Sequence, residues 1–230
     1  MICAFEMSLY FQKKVLKKHF GGSNIDKWLN ESRKVYKELV TKLPNIGGRG
    51  NRMLSFLKTS LILMPVVAVL KREGLPVRKI GEVIYDLASI AYHKIPLFIR
   101  KASASSFFST RKARKWRKIA ARSQLRGFSG DWVVTTIQAD SLFHHGYDIT
   151  ECAILKFWRA QGLEEFVPYM CLTDWAKWHA FGINARRTQT LANGHEKCDF
   201  RFIRTGSVES CGWPPESMPE WSGRFEVKPV

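Results

Sequence analysis

The chain has 230 residues, 45% of them apolar and 25% charged, with 16 Gly and 9 Pro, values near the globular average that exclude a disordered, collagen-like or disulfide-miniature class. A chain of this length buries roughly 70% of its unfolded surface and needs no staples to fold. The departure is charge: 37 Lys and Arg stand against 20 Asp and Glu, net +17, with residues 1–130 at net +20 and residues 131–230 at net −3, an asymmetry that points to an anionic surface or partner for the first part.

Residues 8–42 read as helical, broken at Gly21-Gly22-Ser23-Asn24, with Ile25, Trp28, Leu29, Val35, Tyr36 and Leu39 forming an apolar stripe on the second piece. Residues 46–51 (IGGRGN) form a loop whose glycines permit positive φ and whose amides could cradle an anion; no G-K-[ST] follows, so it is no P-loop, and an interhelix turn is the plainer reading. A helix is expected from about Arg52 to Glu73, closed by Gly74, and another from about Val77 to Tyr92. The longest apolar run, residues 59–70, is about 12 residues broken by Pro65, short of the ~20 needed to span a bilayer, and reads as a buried helix.

No acidic residue stands between Asp86 and Asp131, and residues 100–126 hold ten Lys or Arg. Without zinc spacing or aromatic RNP signatures, this segment is expected to be no sequence-specific nucleic-acid site, and at most a weak contact for an anionic surface. From Gly130 the texture changes. Residues 132–137 (WVVTTI) read as a strand, His144 to Gly146 as a turn region, residues 149–180 as two helices parted near Gly162 and Pro168, and Arg186–Leu191 with Lys197–Arg204 as a hairpin around Asn193-Gly194. Thr150 is placed to cap the first of these helices, with Glu151 in its first turn. The tail from Ser207 is irregular.

The expected fold class is α+β, a helical N-terminal half packed on an antiparallel sheet with helices in the C-terminal half. The expected organisation is a single domain over residues 1–230, with a mainly helical basic half (1–125), an α+β half carrying the site (130–206) and an irregular tail (207–230). Cys3, Cys152, Cys171, Cys198 and Cys211 are odd in number and lack a C-x-x-C. With residues 1–13 making a poor signal peptide, reduced thiols and a cytoplasmic location are expected. His144, His145, His179 and His195 match no familiar ligand spacing with these cysteines, so no metal and no cofactor is expected. The oligomeric state is not legible.

Reactive residues concentrate after residue 146. Cys171 and Asp174 are three apart on a helical pattern and share a face with Trp175 and Trp178. This is either a thiol nucleophile in an aromatic pocket or a core cysteine. On the last strand Cys198, Phe200 and Phe202 point one way, and Asp199, Arg201 and Ile203 the other. Asp199 and Arg201, beside Arg186 and Arg187, could fix a carboxylate or form a structural ion pair. Glu151 reads as a helix-terminal acid, or as a general acid or base if it is buried.

The stretches GYDITEC (146–152), Phe157 with Gln161-Gly162, PYMC (168–171) with Asp174, RTQTLA (187–192) with Gly194, and CDFRF (198–202) together resemble the L-2-amino-thiazoline-4-carboxylic acid hydrolase family. Ile46-Gly47-Gly48 with Asn51, and Gly130-Asp131-Trp132, are similar to its longer members, and the likeness spans roughly residues 40–205. The resemblance implies a small-molecule hydrolase acting on a C–N bond other than a peptide bond. The namesake reaction opens 2-aminothiazoline-4-carboxylate to N-carbamoylcysteine by adding water at the amidine-like C2. Such a reaction needs a nucleophile at C2, a proton donor for the leaving ring nitrogen and a cation for the carboxylate.

By residue type, the catalytic set is then Cys171, Asp174, Glu151, Asp199 and Cys198. Arg187, Arg201, Thr188, Tyr147 and Trp175 form the binding set for a carboxylate-bearing small molecule. Attack comes from Cys171 or from water. The rival readings are a lyase, hydratase or isomerase on the same scaffold, or a non-catalytic ligand-binding module.

Overall fold

A computed structural model describes residues 2–206 and 210–226. Six helices come first: α1 (Ile2–Phe20), α2 (Ile25–Thr41), α3 (Leu54–Arg72), α4 (Val77–His93), α5 (Leu97–Phe107) and α6 (Thr110–Gln124). Strands β1 (Val133–Ile137) and β2 (His145–Glu151) follow, then α7 (Ala153–Ala160), α8 (Val167–Phe181), β3 (Asn184–Arg186) and β4 (Cys198–Ile203). All pairings are antiparallel and the strand order is β1-β2-β4-β3. The α+β class read from the sequence is therefore the architecture found.

The helical stripes fall where their periodicity requires. In α2, Ile25, Trp28, Leu29, Val35, Tyr36 and Leu39 are buried, and in α4 Ile80, Val83, Ile84 and Leu87. Helix α3 is apolar almost all round and packs among α2, α4 and α7. It is long and apolar enough to cross a membrane by length and composition, and half of its most apolar window is buried inside the protein. Helix α4 lies closest against α8, where Gly81 lets the Tyr169 ring in: a Cβ there would stand 2.2 Å from the ring. One continuous apolar core runs from Phe5 on α1 to Met218 after the sheet.

The basic segment forms two helices. Helix α6 buries Trp116, Ala120 and Ser123 at helical spacing and turns Arg111, Arg114, Arg117 and Lys118 to solvent. Trp116 stacks on Tyr147 of β2, 4.2 Å between ring centroids, so α6 covers the same sheet face as α8, whose Trp178 meets Phe200 and Phe202 edge-on.

Three local expectations differ from the structure. The region around His144 to Gly146 is the start of a strand, and β2 runs on through Thr150 and Glu151, so neither residue begins a helix; Cys152 is the N-cap of α7. Pairing on both edges makes β2 a central strand and overrides its mixed local composition. The strand paired with β4 is residues 184–186 rather than 186–191. Asn193-Gly194 closes a 3-10 turn inside a longer connection. Asn193 is buried there: its side-chain amide donates to Thr190 Oγ1 and its Oδ1 accepts from the Ser222 amide and hydroxyl, so it anchors the following segment instead of turning a hairpin.

Candidate functional site

Helix α8 places Cys171, Asp174, Trp175 and Trp178 at i, i+3, i+4 and i+7, on the side that meets the sheet and the segment after it. Opposite them stand Tyr147 of β2 and Cys198 and Phe200 of β4, on one face two register positions apart (Tyr147↔Phe200, Ile149↔Cys198). Alternation beyond β3 turns Arg186 outward and Arg187 inward, beside Ala185.

Arg187 is 1% exposed and is the centre of the arrangement. Its Nη1 donates to Asp174 Oδ2 (2.8 Å), its Nη2 to the Cys171 carbonyl (2.8 Å) and to Glu220 Oε1 (2.8 Å), and its Nε to the same Glu220 oxygen (3.2 Å). Phe200, Trp178 and Trp175 surround the guanidinium at 5.1, 5.3 and 5.9 Å from their ring centroids. Desolvation opposes its charge, but Glu220 and Asp174 outweigh that and raise its pKa. The buried pair is tolerated because nearly every polar group on the guanidinium is met.

Glu220 is fully buried and also accepts from Trp175 Nε1 at 2.6 Å. It belongs to a strap over α8 and α4, residues 210–226. Tyr85 donates to the Cys211 carbonyl (2.7 Å), Arg78 pairs with Glu216 and Glu226, and Tyr169 donates to Glu226. At Gly212 (φ +92°) a Cβ would stand 2.5 Å from Trp175 Cβ, so the strap lies directly on the helix that bears Cys171 and Asp174.

Three thiols join this group. Burial pushes Cys171 well above its ordinary value of 9.0, with Arg187 pulling it back and Cys198, Cys152 and Asp174 raising it further. Burial, then Cys152, pushes Cys198 up to about 12, and burial raises Cys152 and Tyr147, each further raised by Asp174. All three thiols are therefore protonated at neutral pH. Yet Cys171 and Cys152 keep part of their surface, and the Asp174 side chain is 41% exposed. Asp174 is the solvent-facing edge of the recess between α8 and the sheet, which the packed side chains of Cys171, Cys198, Arg187, Tyr147 and Trp175 fill.

The remaining residues expected at the site lie elsewhere. Asp199 and Arg201 project from the opposite face of β4. Asp199 accepts from the Thr188 amide and hydroxyl and from the Gln189 amide (2.7–2.8 Å), and Arg201 donates to Asp148 (2.8 Å), which Lys197 also meets. The hydroxyl of Thr188 is thus held on that outer side. Glu151 pairs with Arg126 and Lys156. It lines a cavity of about 380 Å³ with Arg122, Phe128 and Trp132, where Arg126 pairs with Glu151, Asp131 accepts from Asn51, and Arg122 donates to the Ile46 carbonyl. Among the described residues no group of three or more His, Cys, Asp or Glu could hold a metal ion. Glu220 and Cys152 join the cluster around Arg187 without having been singled out from the sequence as site residues. Cys152 carried a signal, ending the GYDITEC stretch, whereas Glu220 sits in an aperiodic segment.

The sequence pattern of L-2-amino-thiazoline-4-carboxylic acid hydrolases matches residues 57–202, well over half of the chain. The chain belongs to this family. As a family member it is a non-peptidase hydrolase of small molecules with a cyclic amidine- or amide-type group. The matched region runs from within α3 to the penultimate residue of β4, and so contains Cys152, Cys171, Asp174, Arg187 and Cys198 but not Glu220. No curated protein and no solved structure matches the chain.

Proposed function

We propose that the chain opens the ring of 2-aminothiazoline-4-carboxylate or a close cyclic isothiourea, with the reacting C2 held in the recess between Cys171 and Asp174. The observation that supports this reading is the pairing itself: within the family-matched region, a buried thiol and a partly exposed carboxylate share one helix face over a buried arginine. In N-carbamoylcysteine the carbamoyl nitrogen stays on the α-carbon. The bond that breaks is therefore C2 to the ring sulfur, and the proton donor serves that sulfur rather than a ring nitrogen.

In the covalent route Cys171 Sγ bonds to C2 as its proton passes to Asp174. The ring sulfur leaves C2 and takes that proton from Asp174. Water then adds to C2 and expels the Cys171 thiol, leaving the carbamoyl product. In the second route Asp174 takes the proton from water as it attacks C2, the C2–sulfur bond then breaks as Asp174 returns that proton to the leaving sulfur, and no bond to the enzyme forms. The raised Cys171 thiol favours this second route at neutral pH.

The experiment supplies the purified chain with 2-aminothiazoline-4-carboxylate and follows the free thiol released. Mass spectrometry of the quenched enzyme decides between routes, since an adduct on the peptide bearing Cys171 requires the covalent one. No thiol release from this substrate or its 2-amino-thiazoline analogues contradicts the reading.

A further inference from the structure

The charge balance of the recess is set from outside the family-matched region. Arg187 has five N–H donors, and four are already used, on Asp174, the Cys171 carbonyl and Glu220 twice. A substrate carboxylate cannot engage this guanidinium bidentately without displacing a partner. Against the one cation stand two carboxylates, Asp174 and Glu220, so the formal charge of the three is −1. Among the described residues no Lys or Arg other than Arg187 pairs with Asp174 or Glu220.

The two carboxylates are unequal. Glu220 is sealed, with all three donors converging on Oε1 and Oε2 left without a partner. Asp174 is partly open, and its Oδ1 accepts no hydrogen bond among the described residues while Oδ2 holds Arg187. The negative charge that a ligand meets is therefore on Asp174, beside Cys171.

We propose that Glu220 is a positioning and specificity residue: by taking up the charge of Arg187 it leaves Asp174 free to select the cationic amidine end of the substrate, not its carboxylate. The inference rests on the reading of the recess as the substrate site, and goes beyond it by saying which end enters. A third anion would join two carboxylates that share one guanidinium, where like charges repel, whereas an amidinium would meet an unpaired carboxylate oxygen. The carboxylate of the substrate then stays at the mouth of the recess.

The test is calorimetric binding to the full chain, independent of turnover, with three probes: 2-aminothiazoline (cation, no carboxylate), thiazoline-4-carboxylate (no amino group) and 2-aminothiazoline-4-carboxylate. The wild-type chain should bind the first within about tenfold of the third, and the second at least about tenfold more weakly. Glu220→Gln keeps the shape and removes the charge. It should weaken 2-aminothiazoline by about tenfold or more and strengthen the carboxylate-only probe, a reversal that loss of packing alone would not produce. If Glu220→Gln fails to fold, as judged by circular dichroism, Asp174→Asn and the wild-type probe series decide, because Asp174→Asn should lose the cation preference in the same way. Tighter binding of the carboxylate-only probe by the wild-type chain overturns this inference and leaves the recess as the substrate site. Binding of none of the three at millimolar concentration overturns both.

Discussion

Asp199 and Thr188 are joined twice across the β3–β4 connection: Asp199 Oδ1 accepts the Thr188 amide at 2.8 Å, and Oδ2 accepts the Thr188 hydroxyl at 2.7 Å. With the Gln189 amide on the same Oδ1, the residues just after Arg187 are pinned to β4. The carboxylate that looks like a proton carrier in the sequence is thus a clamp on the arginine's backbone. Asp199→Ala removes three bonds to a partly exposed group and should cost about 1–3 kcal/mol of stability. In turnover it should lower kcat/KM, and Asp199→Asn should recover part of that loss, since the amide oxygen still accepts. Full loss in both variants with unchanged stability would instead place Asp199 at the reacting atoms.

Glu151 provides the opposite case. Its partners Arg126 and Lys156 are half-exposed, and the two ion pairs hold its carboxyl below the usual range, the Lys156 bond contributing most. Exposed pairs of this kind contribute about 0–1 kcal/mol. Glu151→Gln should leave kcat within about twofold of wild type and shift the urea midpoint only slightly. A drop in kcat of a hundredfold would return Glu151 to the catalytic set.

The helical framework was legible because its signal is local. The stripe Ile80, Val83, Ile84, Leu87 and the three-residue spacing of Cys171 and Asp174 follow from 3.6-residue periodicity alone. Alternation likewise separated Cys198 and Phe200 from Asp199 and Arg201, although it could not say which face held the site. What escaped was long-range. Strand β2 is decided by partners on both edges. Arg187 and Glu220 meet from 33 residues apart, and a bond between an irregular strap and a loop leaves no periodic trace. The expectation that Arg187 holds a substrate carboxylate followed from its residue type, because the sequence does not show that its charge is already engaged.

The recess and its surroundings make the fold sensitive to alkali. Burial raises the thiols of Cys152, Cys171 and Cys198, and the phenols of Tyr85, Tyr92, Tyr147 and Tyr169, above their unfolded values of 9.0 and 10.0. Below pH 9 these groups are neutral in both states and their contribution is fully present. As pH rises past the unfolded values the unfolded chain releases protons that the folded chain keeps, and stability falls by about 1.4 kcal/mol per pH unit for each group. The urea midpoint should be flat near neutral pH and decline steeply above about pH 9. A midpoint that holds through pH 11 would contradict this burial.

Helix α6 carries Arg111, Arg114, Arg117 and Lys118 on its solvent side, and among the described residues no carboxylate pairs with any of them. We expect weak retention on an immobilised polyanion that disappears as salt is raised, without preference for any nucleotide sequence. A preference of ~10³ or more for one DNA or RNA sequence at physiological salt would contradict it.

Turnover of 2-aminothiazoline-4-carboxylate by the wild-type chain beside Asp174→Asn, with folding of both verified by circular dichroism and thermal midpoint, tests the role of Asp174 most directly. Asp174 is partly exposed, so the isosteric change should leave the fold intact. It should also lower kcat by about 10²-fold or more, the scale of a lost acid–base group. An Asp174→Asn chain that folds normally and turns over within about twofold of wild type would show that the chemistry takes place outside this recess.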